Sequence, residues 1–467
     1  METHNAGGVE YDKVGKDYFE NRQLKRGAAG WLLLVGLGVA YVISGDYAGW
    51  NFGLKTGGWG GLFIASLLMA TMYTCMCFAL AELATIAPTA GGGYGFARRA
   101  FGPWGGFLCG IAILIEYAIA PAAIATFIGA YCNSLFGIDG WLVYLGFYVV
   151  FLGIHVYGAG EALRLIFAIT ALAVVALIAF VVAMAPHFSA DRLFDIAPTD
   201  AVGASTFLPF GYLGIWASLP YAMWFFLAIE GVPLAAEETQ DPKRDLPRGL
   251  IGGMVVLLAF CALILLVGPG GAGSAALMNS GNPLVEALES PNVYGGPTLV
   301  SRFVNFVGLA GLIASFFSII YGYSRLVFAM SRAGYLPRSL SLTNARKTPY
   351  LALIVPGIIG FLLSLTGQGD LLILVAVFGA TVSYVMMMAS HIALRINEPD
   401  LPRAYRTPGG IVTSSIALVL ACAAVVAGFL VDPRVLVGAA VVYAIFIAYF
   451  AFYSRHHLVA AAPGEED

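Results

Sequence analysis

The chain has 467 residues, of which 60% are hydrophobic and 11% charged, with a net charge of -3; its mean hydropathy is +0.84 and its pI about 6.1. These values exclude a water-soluble globule and give no basic excess for nucleic acid, so lipid must be the solvent. In lipid the backbone has to pair within each segment, and apolar runs of about 20 residues rather than short alternating strands predict an all-α membrane protein.

Residues 1–28 are polar and of mixed charge, and read as a cytoplasmic tail rather than a signal peptide. Twelve spans are expected at 29–54, 60–86, 104–133, 141–157, 164–186, 210–235, 247–268, 302–331, 350–366, 370–395, 411–430 and 434–454. With both termini inside, 19 of the 24 Lys and Arg fall on the inward side, four (Lys55, Arg192, Arg302, Arg434) fall outside, and Arg325 lies within a span. This bias predicts a multi-pass protein of a bacterial inner (plasma) membrane with both termini cytoplasmic.

Span 1 carries Ser44, Gly45 and Asp46 at a depth where a lipid-facing helix should be unbroken. An intramembrane carboxylate costs about 2.5–3.5 kcal/mol on insertion scales, so it normally faces an internal cavity. Span 6 mirrors it, with Phe226, Ala228, Ile229 and Glu230 beside Gly231 and Pro233. Two interrupted spans five apart point to an inverted-repeat transporter with a midplane site. Asp46 is equally able to cap the second half of span 1, Glu230 to serve the broken helix structurally, and Glu116 with Tyr117 in span 3 to form an internal hydrogen-bonding pair. His155 and His391 read as satisfied interior histidines. The six cysteines lack metal-ligand spacing and read as packing residues. Gly91, Gly92, Gly93 and Tyr94 lack the ending of a nucleotide loop and suit close backbone packing at an inner gate. No nucleotide-binding motif and no catalytic or metal constellation appears, so the chain is not expected to be an enzyme.

Four segments carry a family resemblance: Ala81-Glu82-Leu83 to Tyr94, Glu237-Glu238 to Gly249, Ser324-Arg325 to Pro337, and Glu398 to Gly409. In this order they resemble the amino acid/polyamine/organocation permeases, and the wording around Tyr41–Gly53, Gly91–Ala100 and Ile115–Ala122 is similar to the ethanolamine permeases. The resemblance implies two inverted five-helix repeats, at 29–186 and 210–395, separated by an extracellular loop at 187–209. Spans 11 and 12 (411–454) and a cytoplasmic tail (455–467) complete the organisation. It also implies that Trp224 folds over a bound substrate as a gate, plain packing in an aromatic-rich span being the other reading. Asp46 stands where many members have a second glycine whose amides take an amino acid's carboxylate; a carboxylate there would repel an acid and attract an ammonium.

The expected function is therefore alternating-access import of ethanolamine or a close small amine, bound at Ser44, Gly45, Asp46, Tyr117, Trp224, Phe226, Ala228, Ile229 and Glu230. A permease for a neutral amino acid or a polyamine is the alternative, and a channel or receptor does not suit the paired breaks. No cofactor is expected. The lysine of proton-coupled relatives is replaced by Ala173, and Ser315 and Ser318 are weak candidates for a sodium site. A membrane potential alone gives a monocation about 2.3 kcal/mol per 100 mV, roughly 50-fold accumulation.

Overall fold

The computed structural model describes residues 4–6, 8–431, 433–460 and 462–463. After a short helix α1 (Lys16–Glu20), the first half contains α2 (Trp31–Val42), α3 (Ser44–Tyr47), α4 (Phe52–Ile86), α5 (Gly93–Phe136), α6 (Trp141–Tyr157) and α7 (Ala159–Met184). The second contains α8 (Gly211–Trp224), a 3-10 stretch Ile229–Glu238, α9 (Pro242–Ala272), α10 (Ser274–Leu277), α11 (Pro283–Glu289), α12 (Leu299–Arg332), α13 (Tyr350–Ser364) and α14 (Gly369–Asn397). Two further helices follow, α15 (Ile411–Val431) and α16 (Pro433–Phe452).

Among the described residues nine helices are long and apolar enough to cross a membrane, at predicted spans 2, 3, 5, 6, 7, 8, 10, 11 and 12. Three shorter apolar helices, Trp31–Val42, Trp141–Tyr157 and Tyr350–Ser364, lie where spans 1, 4 and 9 were expected. The molecule is thus nearly all-helical and multi-pass. Two helices bend at glycines in the left-handed region, Gly58 (φ 66°) in α4 and Gly102 (φ 74°) in α5. At the second, Pro103 follows at once and starts the next helical segment with its φ already set.

The packing is layered around α5 and α12: α14 and α12 lie along α5, α4 along α8, α2 along α9, and α7 along α12. Apolar side chains turned outward, such as Val150, Val182, Leu362, Val419 and Ile445, stay exposed, as a lipid-facing rim requires.

The tails depart from the all-helical expectation. Strands β1 (His4–Ala6) and β2 (Val9–Asp12) pair antiparallel, and β2 pairs in parallel with β3 (Leu458–Val459), Tyr11 opposite Leu458. Strands of two to four residues joined from opposite ends of the chain leave no periodic signal in sequence. This sheet joins segments near the two ends of the chain, and beside it Tyr18 donates to the Arg332 carbonyl (2.8 Å) and Arg338 pairs with Asp12 (2.6 Å).

The same end holds the signature segments. Glu82, at the end of α4, meets Arg395 (2.5 Å) and Arg403 (2.8 Å) and accepts from the Thr407 N–H (2.7 Å). Arg99 pairs with Glu398 (2.8 Å). Its hydrogen bond holds the Glu398 carboxyl below the usual range, but both side chains are more than a third exposed and such a pair adds little stability.

Candidate substrate site

The backbone of span 1 opens in two steps. Its ladder first parts at Ser44, whose N–H donates to Ser315 Oγ of α12 (2.9 Å), while that hydroxyl donates to the Ala40 carbonyl (2.6 Å). A side chain is thus inserted into the ladder where one helical bond would run. Ser44–Tyr47 still forms a helical turn, and the chain becomes extended only at Ala48 (φ -160°, ψ 159°) and left-handed at Gly49 (φ 97°). The expected break at Ser44-Gly45-Asp46 therefore completes itself a turn later. It settles there because Asn51 accepts from the Gly49 N–H (3.1 Å) and donates to the carbonyls of Leu277 (2.8 Å) and Ser280 (2.9 Å), and because the Trp224 indole donates to the Ala48 carbonyl (3.0 Å).

In span 6, α8 ends at Trp224, Ala228 is left-handed (φ 76°), and a 3-10 stretch begins at Ile229. The Tyr117 hydroxyl lies 3.0 Å from the Ala228 carbonyl and 3.3 Å from Glu230 Oε1, and can donate to either. Tyr384 donates to Glu230 Oε2 (3.0 Å), and Tyr73 donates to Tyr384 (3.1 Å). Phe226 packs on Tyr73, with ring centroids 5.4 Å apart.

Because Ser44–Tyr47 keeps helical phase, successive side chains step about 100° around the axis. Ser44 meets Ser315 of α12, and Gly45 lies against the Trp224 carbonyl with no space for a Cβ. Tyr47 donates to the Ala173 carbonyl of α7 (2.7 Å). The same turn also packs against α9. Asp46 is fully buried, and both its oxygens lack a hydrogen-bond partner among the described residues. It caps no helix end. Glu230, in contrast, faces α5 and α14, so the structure does not bring Asp46 and Glu230 together.

Of the residues singled out from sequence, Gly45, Trp224 and the Ala48–Gly49 backbone meet at one junction, and Tyr117, Ala228 and Glu230 at another. The Ile229 side chain packs toward Gly38 of α2 and Gly253 of α9. Ser66, whose hydroxyl is buried without a partner, was missed; a lone serine in an apolar run carries no signal. Tyr73 and Tyr384 were missed for the same reason. Ser315 is spent on the span-1 ladder, and Ser318 bonds the Ser315 carbonyl (3.0 Å). His155 contacts the Phe317 carbonyl (2.7 Å), and His391 contacts Ser414 (2.7 Å) and Thr407 (3.1 Å).

At the Gly91–Tyr94 loop, a Cβ on Gly92 (φ 49°) would meet Leu234 at 2.9 Å and one on Gly93 would meet Met387 at 2.5 Å, so the bare glycines allow this loop to lie close against span 6 and α14. Tyr94 packs edge-on against Tyr335, centroids 5.3 Å apart. Glu237 fixes the loop by accepting from the Ala90 N–H (3.1 Å) while bound to both terminal nitrogens of Arg332 (3.0 and 2.5 Å).

Ser315→Ala removes both bonds that bridge the opened ladder. A loss of about 1–3 kcal/mol is expected, as for a buried group left unsatisfied, measured by thermal unfolding of the purified protein. Unchanged unfolding would mean that Ser44 and Ala40 close the ladder without the hydroxyl.

The family described as Amino acid permease matches residues 33–452. The chain is 29% identical to an uncharacterized transporter of Rhizobium meliloti over 84% of its own length and 85% of that protein. It is 26% identical to a branched-chain amino acid permease of Bacillus subtilis, over 83% and 84% of the two chains, and 26% identical to the methylthioribose transporter of the same organism, over 80% and 81%.

Proposed function

The chain belongs to the amino acid permease family, and from that premise we propose that it is a secondary transporter importing a small organic amine, ethanolamine first, by alternating access. The observation that carries this reading is Asp46. A buried carboxylate needs a cation or several donors, since leaving it uncompensated costs several kcal/mol, and this one has neither. An ammonium supplies the missing charge. Among the described residues no arginine or lysine bonds either Asp46 oxygen.

In this reading the chain crosses the membrane twelve times as two inverted five-helix repeats plus two helices, with both termini cytoplasmic. The span-1 and span-6 breaks move against each other, Trp224 closes the outer side, and Gly91–Tyr94, held by Glu237, closes the inner side. Ser44, Gly45 and Phe226, Ala228, Ile229 form the moving backbone, with Tyr117 and Glu230 behind it. A permease for a neutral amino acid is the second reading, favoured by the branched-chain amino acid permease among the similar proteins.

The two separate in a ligand-dependent thermal-shift titration of purified protein. Ethanolamine is expected to bind at least about tenfold more tightly than serine, because serine adds an anion near Asp46 and one such repulsion is worth about 1.4 kcal/mol or more. Equal or tighter binding of serine, or stabilisation by leucine and valine without ethanolamine, would reject the amine and favour the second reading.

A further inference from the structure

Many cations of the bundle are already paired. Arg325 holds Glu238, Arg332 holds Glu237, Arg338 holds Asp12 and Arg99 holds Glu398, while Arg192 bonds two backbone carbonyls. Lys243, Arg244 and Arg248, in the first two turns of α9, differ. All three are exposed, and none has a hydrogen bond or ion pair among the described residues. They line a groove of about 750 Å³ whose apolar walls include Trp31 of α2, Ile251 of α9 and Tyr405, between α14 and α15. One carboxylate, Asp241, lines it against the three cations, and Asp245 is buried outside the lining.

The groove straddles the boundary between charged and apolar chain. Ala29 donates to the Glu238 carbonyl (3.0 Å) and Gln240 to the Ala29 carbonyl (2.9 Å), which sets the start of α2 beside the chain entering α9. Deeper in, the two helices close up: a Cβ on Gly252 would meet Val35 at 2.8 Å. Along α9 the residues Arg244, Arg248, Ile251 and Val255 follow at spacings of four, three and four, which puts them in one row on the helix. That row runs about 16 Å along the axis at 1.5 Å per residue. It begins with cations and ends at Val255, exposed like Trp31 and Leu32 at the start of α2.

We propose that this groove binds an anionic glycerophospholipid of the surrounding membrane, its phosphate among Lys243, Arg244 and Arg248 and an acyl chain along Ile251 and Val255. Three cations against one carboxylate leave two positive charges in excess, and basic grooves between spans attract anionic headgroups. The two guanidiniums match phosphate oxygens with paired donors, and an exposed Trp such as Trp31 suits the headgroup level. A soluble anion would satisfy the cations but leave the apolar row uncovered. A zwitterionic lipid would cover the row but bring its own ammonium to the cations. In the proposed orientation the groove opens to the cytoplasmic leaflet, where anionic lipid gives the surface a negative potential. The site is separate from Asp46 and needs no part of the substrate assignment.

Native mass spectrometry of the full chain in detergent tests this, with phosphatidylglycerol and phosphatidylcholine of identical acyl chains as the probes. Phosphatidylglycerol is expected to bind at least about tenfold more tightly, each nearby Lys or Arg adding to the attraction. The variant Lys243→Gln/Arg244→Gln/Arg248→Gln should lose that preference and keep its phosphatidylcholine binding. Lys25→Gln/Arg26→Gln removes two exposed cations that do not line the groove and should keep the preference. Equal binding of the two lipids by the wild type, or an equal loss in the Lys25/Arg26 variant, would overturn the proposal. Inorganic phosphate that displaces phosphatidylglycerol at equal concentration would give the cations to a soluble anion and overturn it too. If the triple variant does not fold, hydrogen exchange of the wild type decides: phosphatidylglycerol, and not phosphatidylcholine, should slow exchange in residues 241–252, and protection confined to other segments would reject the groove.

Discussion

Arg325→Met is expected to destabilise the protein by about 3–5 kcal/mol, the usual cost of breaking a buried ion pair by removing one partner. Arg325 has no exposed surface. Its guanidinium holds Glu238 through two nitrogens, donates to Ser324 Oγ (2.8 Å) and lies 4.0 Å over the Tyr321 ring. Tyr321 also donates to Glu238. Methionine fills much of the volume but leaves Glu238, equally buried, with an uncompensated charge against one phenol. Thermal unfolding in detergent, with expression level as a second reading, measures the loss. The pairing is distinguished from packing by the double variant Arg325→Met/Glu238→Met, which removes both charges and should recover most of the stability, since an apolar replacement of a whole buried pair is often neutral. Losses that simply add would show that the two side chains act independently.

That pair also shows what was legible in the sequence. The four signature segments were read as marks of a family, and the structure gives them a physical role. Glu237 and Glu238 hold Arg332 and Arg325, and Glu82 holds Arg395 and Arg403, so the second half of span 6 is tied to α12 and the end of α4 to α14. Helices were legible because apolar runs in lipid have few alternatives. Side-chain direction was not. Gly45 reads as a helix breaker, but it is bare because the Trp224 carbonyl sits where its Cβ would be, and the helix ends later, at Ala48, through bonds to Trp224, Leu277 and Ser280. Those partners lie more than 170 residues away, and no local pattern announces them. The same surviving turn decides which way Asp46 points. A break at Gly45 would have left it free to face Glu230, whereas a continuous turn fixes it about 100° around the axis from Gly45.

Asp46→Asn is expected to separate binding from folding more sharply than any other substitution. As a cap alone, Asp46 would be replaced by asparagine, an equally good N-cap, with fold and binding nearly intact, but Asp46 accepts no hydrogen bond and caps neither α3 nor α4. Asparagine has nearly the same shape and removes an ionisable group that is buried without a hydrogen-bond partner. The ligand-free variant should therefore unfold at or above the temperature of the wild type. Ethanolamine affinity should move the other way, falling by roughly 2 kcal/mol or more, about 30-fold, because the ammonium loses its only charged partner in a dry site. Glu230→Gln is the control. Its carboxyl already has Tyr117 and Tyr384, so the same neutralisation there should weaken ethanolamine binding less than Asp46→Asn does. Titrations of both variants by thermal shift or calorimetry, alongside reconstituted uptake, give the comparison. A well-folded Asp46→Asn protein that binds ethanolamine as tightly as the wild type would remove the case for a cationic substrate at this carboxylate and shift the weight to the amino acid reading, in which the backbone amides near Ser44 and Gly45, rather than the side chain of Asp46, meet the ligand.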